Sequence, residues 1–204
     1  MPKITSISMQ SKNKERCNLF VDGEFFAGIS LVTLLKSRIK VGDEVDEKSL
    51  KDLLEESEKV QAFNKAVDYI SKTIKTKRQV KEYLLKKGYD EQIVWYCIDK
   101  LKDYKYIDDG EYSKRYISTC SKNQGKRLVE YKLMAKGVKK EDIEQAYNEV
   151  DVNGNENAKN VAEKYLKNKE LTKENKAKVY RYLIGRGFSY DEASYALSCL
   201  GGED

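Results

Sequence analysis

The chain has no histidine, and its one proline is Pro2. Without histidine it lacks the commonest general base at neutral pH and the commonest zinc ligand. With no proline after position 2, none breaks a helix from inside. The four cysteines, Cys17, Cys97, Cys120 and Cys199, form no Cys-x-x-Cys pair. That leaves neither a zinc ribbon nor a thioredoxin-type motif. Cys97 and Cys199 fall on apolar helix positions, as small core residues do. This usage points to a reducing, cytoplasmic setting. No run of about 18 apolar residues occurs, and "MPKITSISMQSKNKERC" lacks the apolar core of a signal peptide. No membrane partner is expected.

What is present is charge and helix-forming residues. Charged residues make up 36% of the 204 and the hydrophobic set 40%, enough for a thin core spread over an elongated shape. The net charge of +5 is concentrated in the middle: 11 basic against 8 acidic residues in 61–110, and 9 against 6 in 111–150. Mild basicity suits a polyanion partner, although solubility alone also explains it.

A repeat organises most of the chain. "YLLKKGY", "KLMAKGV" and "YLIGRGF" end in Gly88, Gly137 and Gly187, spaced 49 and 50 apart. Four residues before each glycine stand Leu84, Leu133 and Leu183. Eight before stand Val80, Val129 and Val179. One after stand Tyr89, Val138 and Phe188; nine after, Cys97, Ala146 and Ala196. Valine and leucine four apart share one helix face. The glycine reads as a left-handed helix stop, with the apolar residue after it closing over the last turn. Lys87, Lys136 and Arg186 suit the negative end of the helix dipole. Twelve residues before the glycine, Thr76, Gly125 and Asn175 read as N-caps, and Thr76 with Gln79 as a capping box. General helix grammar can also give such joints, but the number of matched offsets favours stacked units.

The first 60 residues differ. "KERCNLFVDGEFFAG" holds two strand-like runs around Asp22-Gly23, a hairpin signal. Cys17, Leu19 and Val21 alternate on one face, and Thr5, Ile7 and Met9 supply a third strand. Ser30 reads as the cap of a short helix. Asp46 reads as the cap of a longer one, with Leu50, Leu53 and Leu54 inward. The expected architecture is mainly α, elongated and curved. A strand-rich head (1–60) precedes three-helix, helix-turn-helix-like repeats at 61–110, 111–150 and 151–204.

At "TKRQVKEYLLKKGY", "YKYIDDGEYSKRYI" and "QGKRLVEYKLMAKGV" the sequence resembles the RecX family, regulators of the recombinase RecA. The family's Ser/Thr-x-x-Glu-Leu at the first joint stands here as Thr76, Gln79 and Val80. Its Tyr-Leu-Asp-Asp stands as Tyr106, Ile107, Asp108 and Asp109. The third repeat, "RYLIGRGFSYDEASYAL", fits more loosely, and the head looks like that of Gram-positive members. The resemblance covers nearly the whole chain. It implies a cytosolic protein, without enzymatic activity, that lies along the groove of the RecA filament. There it limits filament extension, ATP hydrolysis and strand exchange, and so regulates DNA repair and recombination; some members also bind DNA.

Candidate sites follow from the residues. Asp108 and Asp109 could hold a metal or do acid–base work. As neighbours they diverge, and a cap for the helix beginning near Glu111 explains them better, so no metal, cofactor or catalytic residue is expected. Lys77-Arg78 and Lys126-Arg127 occupy the first turn of a capped helix in two repeats; the third has Lys176 and then Ala177. Cations there oppose the helix dipole, which suggests a use in contacting phosphate or an acidic protein face. A solvated charged face explains them equally well. The fifteen tyrosines could stack on bases, but partial burial with a wet hydroxyl accounts for most. The expected partners are the RecA filament and, weakly and salt-sensitively, single- or double-stranded DNA, with the protein a monomer. The competing reading is a stand-alone helical DNA-binding protein of weak sequence specificity. Gly88, Gly137 and Gly187 are expected to be structural.

Overall fold

Alternating apolar and polar residues build an N-terminal sheet in the computed structural model, which describes residues 1–167 and 169–200. Strands β1 (Ile4–Met9), β2 (Arg16–Val21) and β3 (Glu24–Ser30) pair antiparallel in that order. Between β2 and β3, Asp22 has φ 50° and Gly23 φ 88°. Two left-handed residues in succession match the twist of the flanking strands. The register of β1 shifts between Ile4 and Ser6. Thr5 is exposed, and its hydroxyl accepts from Gly23 N–H at 2.9 Å. Ile4 and Ile7 face the core instead, while Met9 is 48% exposed. A strict two-residue alternation missed this bulge.

Helix α1 (Leu31–Ser37) follows directly, then α2 (Glu47–Lys72). Ser30 stands at the N-cap of α1, but its side chain makes no capping bond; its N–H donates to Ser57 Oγ at 2.8 Å. Asp46 does cap α2, accepting from Ser49 N–H at 2.6 Å. Leu50 and Leu53 are buried, whereas Leu54, expected beside them, is exposed. α2 continues unbroken for 26 residues. The head–repeat division placed at 60/61 therefore falls inside one helix, since no glycine or proline between 47 and 72 could stop it. Leu50 and Leu53 join the sheet core. Farther along, Ala62 and Ala66 are fully buried and α2 packs on α4.

The repeats follow as α3 (Lys77–Lys86) and α4 (Glu91–Asp103); α5 (Asp109–Cys120), α6 (Lys126–Ala135) and α7 (Lys140–Glu149); and α8 (Gly154–Leu166), α9 (Lys173–Gly185) and α10 (Tyr190–Leu200). Two packing units result, one of Met1–Thr73 with Val80–Tyr106, the other of Ile74–Gln79 with Ile107–Asp204. In the first, the sheet core of Ile4, Cys17, Leu19, Ile29 and Leu34 is joined by Val45, and the helical part buries Val80, Leu84, Val94, Cys97, Ile98 and Leu101 completely. The second holds two cores, one around Ile117, Val129, Leu133 and Ile143, the other around Ala162, Val179, Leu183 and Phe188.

Positions matched by the repeat are buried alike. Val80, Val129, Val179, Leu84, Leu133 and Leu183 are all 0% exposed, each such side chain stabilising by about 1.5–3 kcal/mol. Cys97 follows the pattern, and burial pushes its thiol up to about 11. Cys199 does not: it is exposed, on the outer side of α10. Among the described residues no helix is long and apolar enough to cross a membrane.

Candidate functional site

The helix before each joint glycine, α3, α6 or α9, ends in the same hydrogen-bonded turn. Gly88, Gly137 and Gly187 have φ of 87°, 86° and 87°, a region open to glycine and strained for residues bearing a Cβ. Each glycine N–H donates to the carbonyl three residues back (Leu85, Met134, Ile184), at 2.9 Å in every case. The next N–H donates five back: Tyr89 to Leu84 at 3.3 Å, Val138 to Leu133 and Phe188 to Leu183 at 3.2 Å. These paired bonds satisfy carbonyls that a helix end otherwise leaves open.

The same turns are where consecutive repeats meet inside the second unit. The Thr76 hydroxyl, before α3, donates to Lys136 O at 2.7 Å. One repeat later Gly125 N–H, before α6, donates to Arg186 O at 3.0 Å. Lys136 and Arg186 each precede the joint glycine, so equivalent carbonyls accept from equivalent residues, once from a side-chain hydroxyl and once from a backbone N–H. Close packing accompanies them. A Cβ on Gly137 would run into the stem of Arg78, with Arg78 Cβ 2.5 Å away. One on Gly187 would meet Leu128, its backbone N 2.5 Å away, and one on Gly125 would collide with the Gly187 carbonyl. Thr76 and Gly125 are accordingly buried. The helix-start residue of one repeat thus docks on the glycine turn of the next.

Thr76 also forms the reciprocal box with Gln79: its N–H donates to Gln79 Oε1 at 3.1 Å and its hydroxyl accepts from Gln79 N–H at 3.3 Å. Gly125 occupies the N-cap of α6 without a side-chain bond. Asn175 is not a cap. α9 starts earlier, with Thr172 accepting from Asn175 N–H at 3.2 Å. Good helix formers from Lys173 onward extend the helix one turn, so Lys176 lies beyond its first three residues.

The two aspartates do different work. Asp108 caps α5, accepting from Gly110 N–H at 2.8 Å and Glu111 N–H at 3.0 Å. Asp109 reaches away and accepts from Lys77 N–H at 2.8 Å, capping α3 from another repeat. Burial pushes the Asp109 carboxyl above its ordinary value; the bond from Lys77 opposes this, while Asp142 and Asp108 add to it.

The helix-start cations have distinct surroundings. Lys77 is half-buried, and its backbone is held by Asp109. Arg78 is exposed overall, while its stem covers Gly137. Lys126 lies 4.8 Å over the Tyr147 ring and 3.8 Å from Glu130, its side chain 59% exposed. Arg127 is exposed and Lys176 half-buried. The tyrosines divide as well. Tyr83 stacks on Tyr69 with centroids 4.1 Å apart, and Tyr89 is buried. On the first repeat Trp95, Tyr96, Tyr104 and Tyr106 are exposed, with Lys100 Nζ 3.0 Å from Tyr96 Oη.

Sequence reasoning missed two things: the docking of each helix start on the next glycine turn, and the reach of Asp109. The first had a signal. Glycine at position 125 is a weak cap beside serine or aspartate, and a close backbone approach explains its use.

Known proteins match the chain along nearly its whole length. Residues 2–46 match the family model described as the regulatory protein RecX N-terminal domain. Residues 62–101, 108–146 and 153–197 match the first, second and third three-helix domains of RecX. A regulatory protein RecX of Clostridium botulinum is 37% identical over 196 residues, spanning 94% of this chain and 92% of its own length. One from Bacillus subtilis is 33% identical over 202 residues, spanning 97% and 76%. A crystal structure of a regulatory protein RecX superposes with a TM-score of 0.74 at 26% identity, over 95% of this chain and 98% of the other.

Proposed function

The chain belongs to the RecX family of regulatory proteins, and from that premise we propose that it is a non-enzymatic, cytoplasmic, monomeric inhibitor of the RecA recombinase. It binds along the groove of the RecA–DNA filament and limits filament extension, ATP hydrolysis and strand exchange. The observation that carries this reading is the repeated joint. Thr76 on Lys136 and Gly125 on Arg186 place Lys77-Arg78 and Lys126-Arg127 at matching points of successive repeats. Weak contacts linked in this way gain from effective concentration. Lys77, Arg78, Lys126, Arg127 and Lys176 are the candidate contacts with RecA or DNA phosphates.

Lys126 and Arg127 allow the cleanest test, because the Arg78 stem has a packing role. Glutamate at a helix start suits the dipole, which offsets the loss of the 3.8 Å Lys126–Glu130 contact and the like-charge pair that replaces it, each worth a few tenths of a kcal/mol. Lys126→Glu with Arg127→Glu should leave the circular dichroism melt in place and weaken inhibition of RecA ATPase on single-stranded DNA. Full potency would remove these residues from the contact surface.

A second reading, a stand-alone DNA-binding protein, is favoured by exposed Trp95, Tyr96, Tyr104 and Tyr106 on the first repeat, with Lys100 beside Tyr96. Its discriminator is DNA affinity without RecA that falls steeply with salt.

A further inference from the structure

The three glycine turns share one backbone geometry but not one environment. Gly187 is buried, Gly137 half-buried and Gly88 exposed. The first two are covered by the helix starts of preceding repeats, at Leu128 and Arg78. Among the described residues, nothing lies within 4 Å of the position a Cβ on Gly88 would take, although its φ of 87° and both closing hydrogen bonds match the other two.

We infer that the Gly88 turn is a docking site for the N-terminal turn of an α-helix on a partner protein. The two occupied copies within this chain specify the shape and the hydrogen bond that fit, while their own first turns, Lys77-Arg78 and Lys126-Arg127, are cationic. The tenant begins with a small residue, as Thr76 and Gly125 do, and donates one hydrogen bond to the carbonyl before the glycine, here Lys87 O. Its next residues lie flat across the glycine. Charge narrows the choice further. Lys86 and Lys87 are exposed beside Gly88, so a helix with acidic residues in its first turn is favoured over one with cations. The repeat-equivalent helix starts of a second copy of this chain are poor tenants. The starts of α3 and α6 are already docked, and at the start of α9 the equivalent N–H, that of Asn175, is turned inward on Thr172. The partner is taken to be the RecA filament, which rests on the reading proposed above.

The test uses Gly88→Asn in the full chain. Asparagine tolerates the left-handed conformation and places a side chain where the tenant would lie. Its melt should stay within a few degrees of wild type, whereas Gly137→Asn and Gly187→Asn should unfold much earlier. Co-sedimentation with RecA filaments on single-stranded DNA should show at least a tenfold weaker affinity for Gly88→Asn. Hydrogen exchange on the wild type should show the Gly88 and Tyr89 amides gaining protection when filament is added. Equal affinity of the two proteins, or no added protection, overturns the docking site while leaving the RecA reading intact. Absence of binding by the wild type overturns that reading and this inference together. Self-association of the wild type that Gly88→Asn abolishes would put a second copy in the turn and overturn the choice of partner.

Discussion

Replacing the three joint glycines by alanine, one at a time, imposes the same backbone strain in three different surroundings. Each sits at φ 86–87°, where a Cβ costs about 1–2 kcal/mol. At Gly88 no further term arises, because among the described residues nothing lies within 4 Å. At Gly137 the new methyl meets Arg78 Cβ at 2.5 Å and Cγ at 2.9 Å. The outer arginine stem can swing aside but its Cβ moves only with the helix. At Gly187 it meets Leu128 N at 2.5 Å and Cα at 3.0 Å, so two backbones must separate. Overpacking of this kind adds about 1–3 kcal/mol. The losses should therefore rank Gly88→Ala below Gly137→Ala below Gly187→Ala, from about 1–2 to about 2–5 kcal/mol. Urea denaturation followed by circular dichroism measures them, fitted with more than one transition if the two units unfold separately. Equal losses at all three positions would show that the turns are merely helix stops, and would refute the docking of consecutive repeats.

Gly125→Ala should destabilise by more than about 1 kcal/mol, the loss typical of giving up an N-cap to alanine, because its Cβ would enter the Gly187 carbonyl; a thermal melt unchanged from wild type contradicts this. Asp109→Ala leaves Lys77 N–H without its acceptor and should cost about 1–2 kcal/mol, whereas Asp109→Asn keeps an acceptor oxygen there. Because the folded-state value of Asp109 is raised, its contribution to stability is full below the unfolded value and is lost as pH rises through the folded one. The melting difference between Asp109→Asn and wild type should then shift in favour of the asparagine variant from pH 3 to pH 7, and a shift the other way refutes that sign. Iodoacetamide at pH 8 should modify exposed Cys199 well before Cys97, whose buried thiol is raised to about 11; peptide mass mapping reads the order.

Much of the fold is written in local pattern. The offsets around Gly88, Gly137 and Gly187 gave the buried valines and leucines, because helical spacing fixes which side chains share a face. Asp22-Gly23 gave the hairpin, because only residues tolerant of positive φ make that turn. What stayed hidden involves partners distant in sequence. Nothing near Asp109 says that it will cap a helix starting 32 residues earlier, and nothing near Thr76 points to Lys136, 60 residues on. Helix ends were the other weak point. Thr172 and Asn175 are both good caps, and the residues between them decide for Thr172 only because lysine and glutamate extend a helix readily. The continuity of α2 through residue 60 was legible in its lack of glycine and proline, but the contrast between strand-rich and helical regions drew the division elsewhere.

In the function proposed above the chain acts on RecA through linked repeats. The most direct test is the rate of RecA-dependent ATP hydrolysis on single-stranded DNA at fixed salt, titrated with the wild-type protein. A rate that falls as the protein is added and saturates below one protein per RecA protomer is expected if, as proposed, one chain lies along the filament across successive protomers. A rate unchanged at protein in excess of RecA, under conditions where RecA filaments form normally, contradicts it.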